Sequence, residues 1–174
     1  MAGNEHTRYK ISVDGTDFRI YQPAPFSKAW FSYKFRGPGL RYEVALSIAT
    51  GEIVWTKGPF APGIWNDIAI FNAFLRVMLE ALKEGALADG GYNGVPCITV
   101  EAPLDGEPEY LKKMKQRVRS RQETVNRRLK QFNVLHRIFR HSRHLHIHCF
   151  NACVVLVQLS IQNGEPLFEA NFQI

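Results

Sequence analysis

The chain has 174 residues, 45% hydrophobic and 22% charged, with a formal net charge of +6 and a pI near 9.4. These are ordinary values for one globular domain with a sizeable core, and residues 1–174 are read as a single domain. The polar start offers no secretory signal, the three cysteines form no disulfide framework, and the apolar run at 149–161 is too short to span a bilayer, so an intracellular chain with no membrane partner is expected.

In chain order, YKISVDGTDFRIYQ (9–22) alternates as a strand that ends or kinks near Gly15, and RYEVALSIA and EIVWTKG are two further strands joined by a Thr-Gly turn. This is an antiparallel meander. Asn66 or Asp67 can then cap a helix whose Ile68, Phe71, Leu75, Met78 and Leu82 predict one buried face ending at Gly85. ALADGGYNG reads as a short strand breaking into a glycine-rich turn at Asp89, and CITV as one more strand. A long helix follows, with Leu111, Met114, Val118, Val125, Leu129 and Phe132 on one stripe. A final helix from about Leu145 to Gln162 is expected to bury Leu145, Cys149, Ala152, Leu156 and Leu159. Hairpins followed by an α-crossover imply an α/β mixed sheet with flanking helices, the pattern of an RNase H-like domain and of other α/β folds.

Charge is concentrated in one place. From 110 to 143 there are twelve Lys or Arg and one acid, Glu123, whereas the remainder of the chain is net acidic. A solvated helix usually mixes its signs, so this one is expected to face an anion, and nucleic acid fits better than a membrane surface.

Asp14 and Asp89 stand at the ends of predicted neighbouring strands, the rim on which open α/β sheets bind ligands. Two such carboxylates repel unless a cation lies between them, and their hard oxygens select Mg²⁺ or Mn²⁺. Phosphodiester cleavage is the chemistry that most needs this pair, with two metals about 4 Å apart. Glu123 is the candidate third carboxylate; it lies opposite the apolar stripe, where an ordinary solvated position is the competing reading. Asp105, Glu107 and Glu109 are substitutes for it. Asp17 is a weaker alternative to Asp14, since odd spacing puts it on the other sheet face, and Asp67 reads as a helix cap.

The blocks VDGTDFRI…P, FSYKFRGPGLRYEVAL, GEIVWTKGPFAPGIWND, ADGGYNG, RSRQETVNRRLKQF and QLSIQNGEPLF, in this order from about Tyr9 to Phe168, resemble a Harbinger-like DDE superfamily endonuclease, a transposase-derived family. The resemblance implies an RNase H-like fold and a metal-dependent triad of Asp14, Asp89 and Glu123 that holds two Mg²⁺ or Mn²⁺ ions, nicks DNA and joins strands. It also implies a nuclear location and a Myb-like DNA-binding partner protein, and it leaves the oligomeric state open. Phosphate contacts are expected from Lys112, Lys115, Arg119, Arg127, Arg128 and Lys130. Family members usually carry a helix-turn-helix-like region before the first Asp, where thirteen residues stand here, so the chain is expected to be the catalytic domain alone. A catalytically inactive domesticated domain, acting as a DNA-binding or adaptor module, is the alternative.

Two other clusters attract attention. His141, His144, His146, His148, Cys149 and Cys153 lack a paired zinc framework and overlap the predicted buried face, so zinc is not expected. Trp30, Phe31, Tyr33 and Phe35 alternate with bases; packing of one side on the core is preferred to stacking on unpaired bases. Trp65 is read as a hydrophobic staple or a wedge beside the cleft.

Overall fold

Eleven residues of β-prone alternation form β1 (Tyr9–Arg19), the spine of the sheet. The structure is a computed structural model and describes residues 9–95, 98–100 and 106–168; Cys97 and Asp105 therefore lie outside the described residues. β1 pairs antiparallel with β3 (Gly37–Ser47) in unbroken register from Ile11↔Ser47 to Arg19↔Gly39. The expected break at Gly15 is absent, because that glycine serves close packing. A Cβ there would come within 1.9 Å of an Asp67 carboxylate oxygen.

β3 pairs antiparallel with β4 (Ile53–Phe60) along most of its length and with the two-residue β2 (Phe31–Ser32) at its start. On the other side of β1 lie β5 (Gly85–Ala88) and then β6 (Ile98–Val100), both parallel to their neighbours. The sheet is therefore mixed, with order β4-β3-β1-β5-β6 and β2 set against the start of β3. This agrees with the α/β mixed sheet read from the sequence.

Helices cover both faces. Phe18, Leu40, Tyr42 and Val44 pack under α3 (Glu109–Leu129), the short α4 (Asn133–His136) and α5 (Arg143–Gln162). Ile11, Val13 and Ala45 pack against α1 (Asp67–Ala73) and α2 (Leu75–Leu82). Successive β1 residues thus serve opposite faces. The apolar stripe of α3 is buried as expected, through Leu111, Met114, Val118, Val125 and Leu129, each contributing ~1.5–3 kcal/mol by removal from water.

Two helical faces differ from expectation. The helix after the Asn66 cap breaks at Phe74, so Phe71, Leu75 and Leu79 turn inward while Met78 and Leu82 are exposed. In α5 the buried side is His146, Phe150, Cys153, Val157 and Ile161; Leu145, Leu156 and Leu159 are exposed. Both sides of α5 are apolar, so periodicity could not choose between them. Stacking of Phe150 on Tyr42, centroids 3.9 Å apart, and the hydrogen bond between Tyr42 Oη and His146 Nδ1 at 2.8 Å set its rotation. At 20 residues and a mean hydropathy of 1.4, α5 is long and apolar enough to cross a membrane by length and composition alone, yet one face of it closes the core.

Candidate functional site

Strand register creates the site. Val13 of β1 is partnered by Ala88, the last residue of β5, so the next residues along the two parallel strands are Asp14 and Asp89. Beyond Ala88 the chain turns away through Gly90 and Gly91, with Asp89 capping the turn by accepting the Gly91 N–H at 2.8 Å. Asp14 is left facing a notch on that side. Its pKa is raised, chiefly by burial; the charges of Asp89 and Asp67 push the same way, against Lys34 and a backbone N–H.

The side chain that α3 sends to Asp14 is Asn126, whose Nδ2 donates to Asp14 Oδ2 at 2.7 Å. One turn earlier Gln122 is buried, accepting from Ser12 Oγ at 2.8 Å and donating to the Val44 carbonyl at 3.1 Å, which fixes α3 against β1 and β3. A cavity of about 350 Å³ opens over Asp14, lined also by Gly15, Thr16, Asp17, Lys34, Phe35, Asn126 and Lys130. Lys34 donates to the Gly15 carbonyl and lies 3.7 Å from Asp67. The Lys130 pKa is lowered, first by partial desolvation beside the cavity and then by the charge of Lys34.

Behind β1 lies a second polar layer. Asp17 does occupy the face opposite Asp14, where Arg41 grips it through Nε at 2.7 Å and Nη2 at 2.9 Å and Ser32 donates at 2.5 Å. The helix cap is Asn66, accepting from the Ala69 N–H at 2.7 Å; Asp67 instead turns toward Gly15 and Arg41, the latter at 3.3 Å. Glu43 is fully buried with one oxygen on Trp55 Nε1 at 2.9 Å, and burial lifts its pKa to about 7. Tyr92, equally buried, is raised well above its ordinary value by burial and by these acids. Trp65 packs with Phe60 and Phe74, a structural cluster rather than a wedge at the notch.

Glu123 is exposed and ion-paired with Arg119 at 3.1 Å. Among the described residues no three His, Cys, Asp or Glu side chains converge as a metal-ligand group. Asp14 and Asp89 are nevertheless hard oxygen donors on neighbouring strands, and Thr16 Oγ1 and Asn126 Oδ1 are buried oxygens with no hydrogen-bond partner among the described residues. This donor chemistry fits a divalent cation of the Mg²⁺ or Mn²⁺ type.

The basic segment divides into structural and surface members. Lys115, expected to contact phosphate, is buried and ion-paired with Glu107, so it is withdrawn from the surface. Arg121 donates to the carbonyls of Ile48, at 2.7 Å, and Phe168, and Arg128 donates to that of Glu165 at 2.7 Å, fastening the C-terminal segment to α3. Arg119, Arg127 and Lys130 are exposed, and Lys112 is half-buried. Of the aromatic run, Trp30 packs on the core and against Arg143 at 4.2 Å, while Tyr33 is exposed.

Sequence reading missed Asn126, Lys34 and the buried role of Glu43. Asn126 had a signal, since it lies at i+3 from Glu123 and so one turn along the same side of the helix. Comparison with protein-family models, with curated proteins and with solved structures gave no match to this chain.

Proposed function

We propose that this chain is an RNase H-like DDE endonuclease domain that cleaves, and can join, DNA strands with divalent metal. The observation that carries the reading is the side-by-side placement of Asp14 and Asp89 at the point where parallel strand β5 ends beside β1. Strand order and direction support it: the antiparallel meander β1-β3-β4 is continued on the far side of β1 by two parallel strands, the order an RNase H-like domain would have. The basic surface of α3 beside the notch supports a polyanionic substrate.

In this reading Asp14 and Asp89 would hold Mg²⁺ or Mn²⁺, with Glu123 as third donor once it leaves Arg119. The bound ions would supply an activated attacking oxygen and stabilise the leaving oxygen. Asn126 holds the Asp14 carboxylate in one orientation, and Arg119, Arg127 and Lys130 draw in phosphate. The nuclear location and a Myb-like partner protein follow from the family resemblance and belong to the same proposal.

A second reading, a domesticated domain that binds DNA without cutting it, is favoured by the outward Glu123 and by Asn126 standing where α3 meets Asp14. Glu123→Gln separates the two. Under the first reading it abolishes Mg²⁺-dependent nicking and leaves DNA binding in EDTA equal or slightly tighter, because one negative charge leaves the basic face. Nicking at the wild-type rate would remove Glu123 from the site, and no nicking by the wild type in either metal would favour the second reading.

A further inference from the structure

The cavity over Asp14 has a feature that carboxylate chemistry alone does not use. Two ammonium groups from distant parts of the chain line it: Lys34, from the turn between β2 and β3, and Lys130, just beyond the end of α3. We propose that Lys34 and Lys130 form a clamp for a single backbone phosphate, seating the strand to be cut over Asp14; the inference rests on the nuclease reading for its purpose but not for its test.

Several observations carry it. The Lys34 ammonium is held by the Gly15 carbonyl, to which it donates, and by Asp67, 3.7 Å away, which leaves a further N–H of a three-donor group for a ligand. Lys130 Nζ lies 5.9 Å from the Phe18 ring and has no hydrogen bond or ion pair among the described residues. The cavity volume of about 350 Å³ far exceeds the ~30 Å³ share of one water, so a phosphodiester link fits. Two like charges facing one open space repel, and an anion between them relieves that repulsion. Asp14 on the floor keeps the space from being a general anion trap, favouring a ligand tethered by its neighbours, as a phosphate within a strand is.

The test measures binding of a short fluorescein-labelled DNA duplex in EDTA across a salt series, with Lys34→Met, Lys130→Met, the double variant, and Lys10→Met as an exposed control remote from the cavity. Each phosphate neutralised contributes about 0.9 to the slope of log affinity against log salt. A shared phosphate predicts a slope loss of about 0.9 for the double variant, a smaller loss for each single variant, and none for Lys10→Met. Lys34→Arg should restore most of the affinity, and that variant also guards against a folding defect from the lost Gly15 and Asp67 contacts. Wild-type slopes in both single variants would overturn the clamp. So would a double-variant loss near 1.8, which means two separate phosphates, or a wild-type chain that binds no DNA. Because no metal is present, a chain that never nicks DNA can still pass, and a chain that nicks can still fail.

Discussion

Glu43→Gln should stabilise the protein, and only on the alkaline side. Glu43 is fully buried, with Oε2 on Trp55 and Oε1 without a partner, and its folded pKa is near 7 against an ordinary 4.5. Below the unfolded value both states are protonated and Glu43 costs nothing. Between 4.5 and about 7 the unfolded chain releases a proton that the folded chain keeps, so stability falls as pH rises, and it levels off above 7. At 1.36 kcal/mol per pH unit the full loss is about 3 kcal/mol. Glutamine keeps an oxygen for Trp55 and carries no charge, so the variant should recover that amount near pH 8, a rise in Tm of roughly 6–12 °C for a chain of this size. Near pH 4.5 it should match the wild type. Urea or thermal unfolding of both proteins at the two pH values checks this. An equal effect at both, or destabilisation near pH 8, would refute the assignment of Glu43 as a strained buried acid.

Further outcomes follow from the same geometry. His146, buried with Nδ1 on Tyr42 and Nε2 unpartnered, has its pKa lowered to about 4 by burial, so its contribution is intact above about 6.5 and is lost as pH falls toward 4; Glu43 acts in the opposite direction over the same range, so the readout is the difference in denaturant midpoint between His146→Gln and the wild type, which should move in the variant's favour as pH falls from 6.5 to 4. Gly15→Ala would drive a methyl into the Asp67 carboxylate, 1.9 Å away, and should lower Tm by several degrees and DNA affinity with it; Asp67→Ala on that background should restore much of the Tm. Phe150→Ala should cost ~3–5 kcal/mol, whereas Leu156→Ala should stay within ~0.5 kcal/mol, and urea denaturation of the two would show the reverse ranking if α5 were rotated to its other apolar face.

The sheet was legible where patterns were local and unambiguous. Alternation in 9–20, the Thr-Gly turn and the α3 stripe each determine one arrangement, and Asp14 comes beside Asp89 because β5 ends there against β1, which itself runs on to Arg19 rather than ending at the rim as expected. Other features depend on contacts distant in sequence. Gly15 reads as a break until Asp67 is seen to fill the space its side chain would take. The rotation of α5 depends on Tyr42, 104 residues before His146, and either face of that helix satisfies the pattern. Lys115 and Arg121 look like surface charge because composition cannot reveal Glu107 or the Ile48 carbonyl waiting for them. Asn126 lay hidden beside a more conspicuous acid.

Metal-dependent cleavage by the Asp14 carboxylate is the central claim, and supercoiled-plasmid nicking in Mg²⁺ and in Mn²⁺ by the wild type and by Asp14→Asn tests it most directly. The wild type should nick in both metals. The variant should nick in neither, while melting at the wild-type temperature or slightly above, since it removes one of the like charges around Asp89 and Asp67. Full nicking by Asp14→Asn in Mn²⁺ would contradict the account.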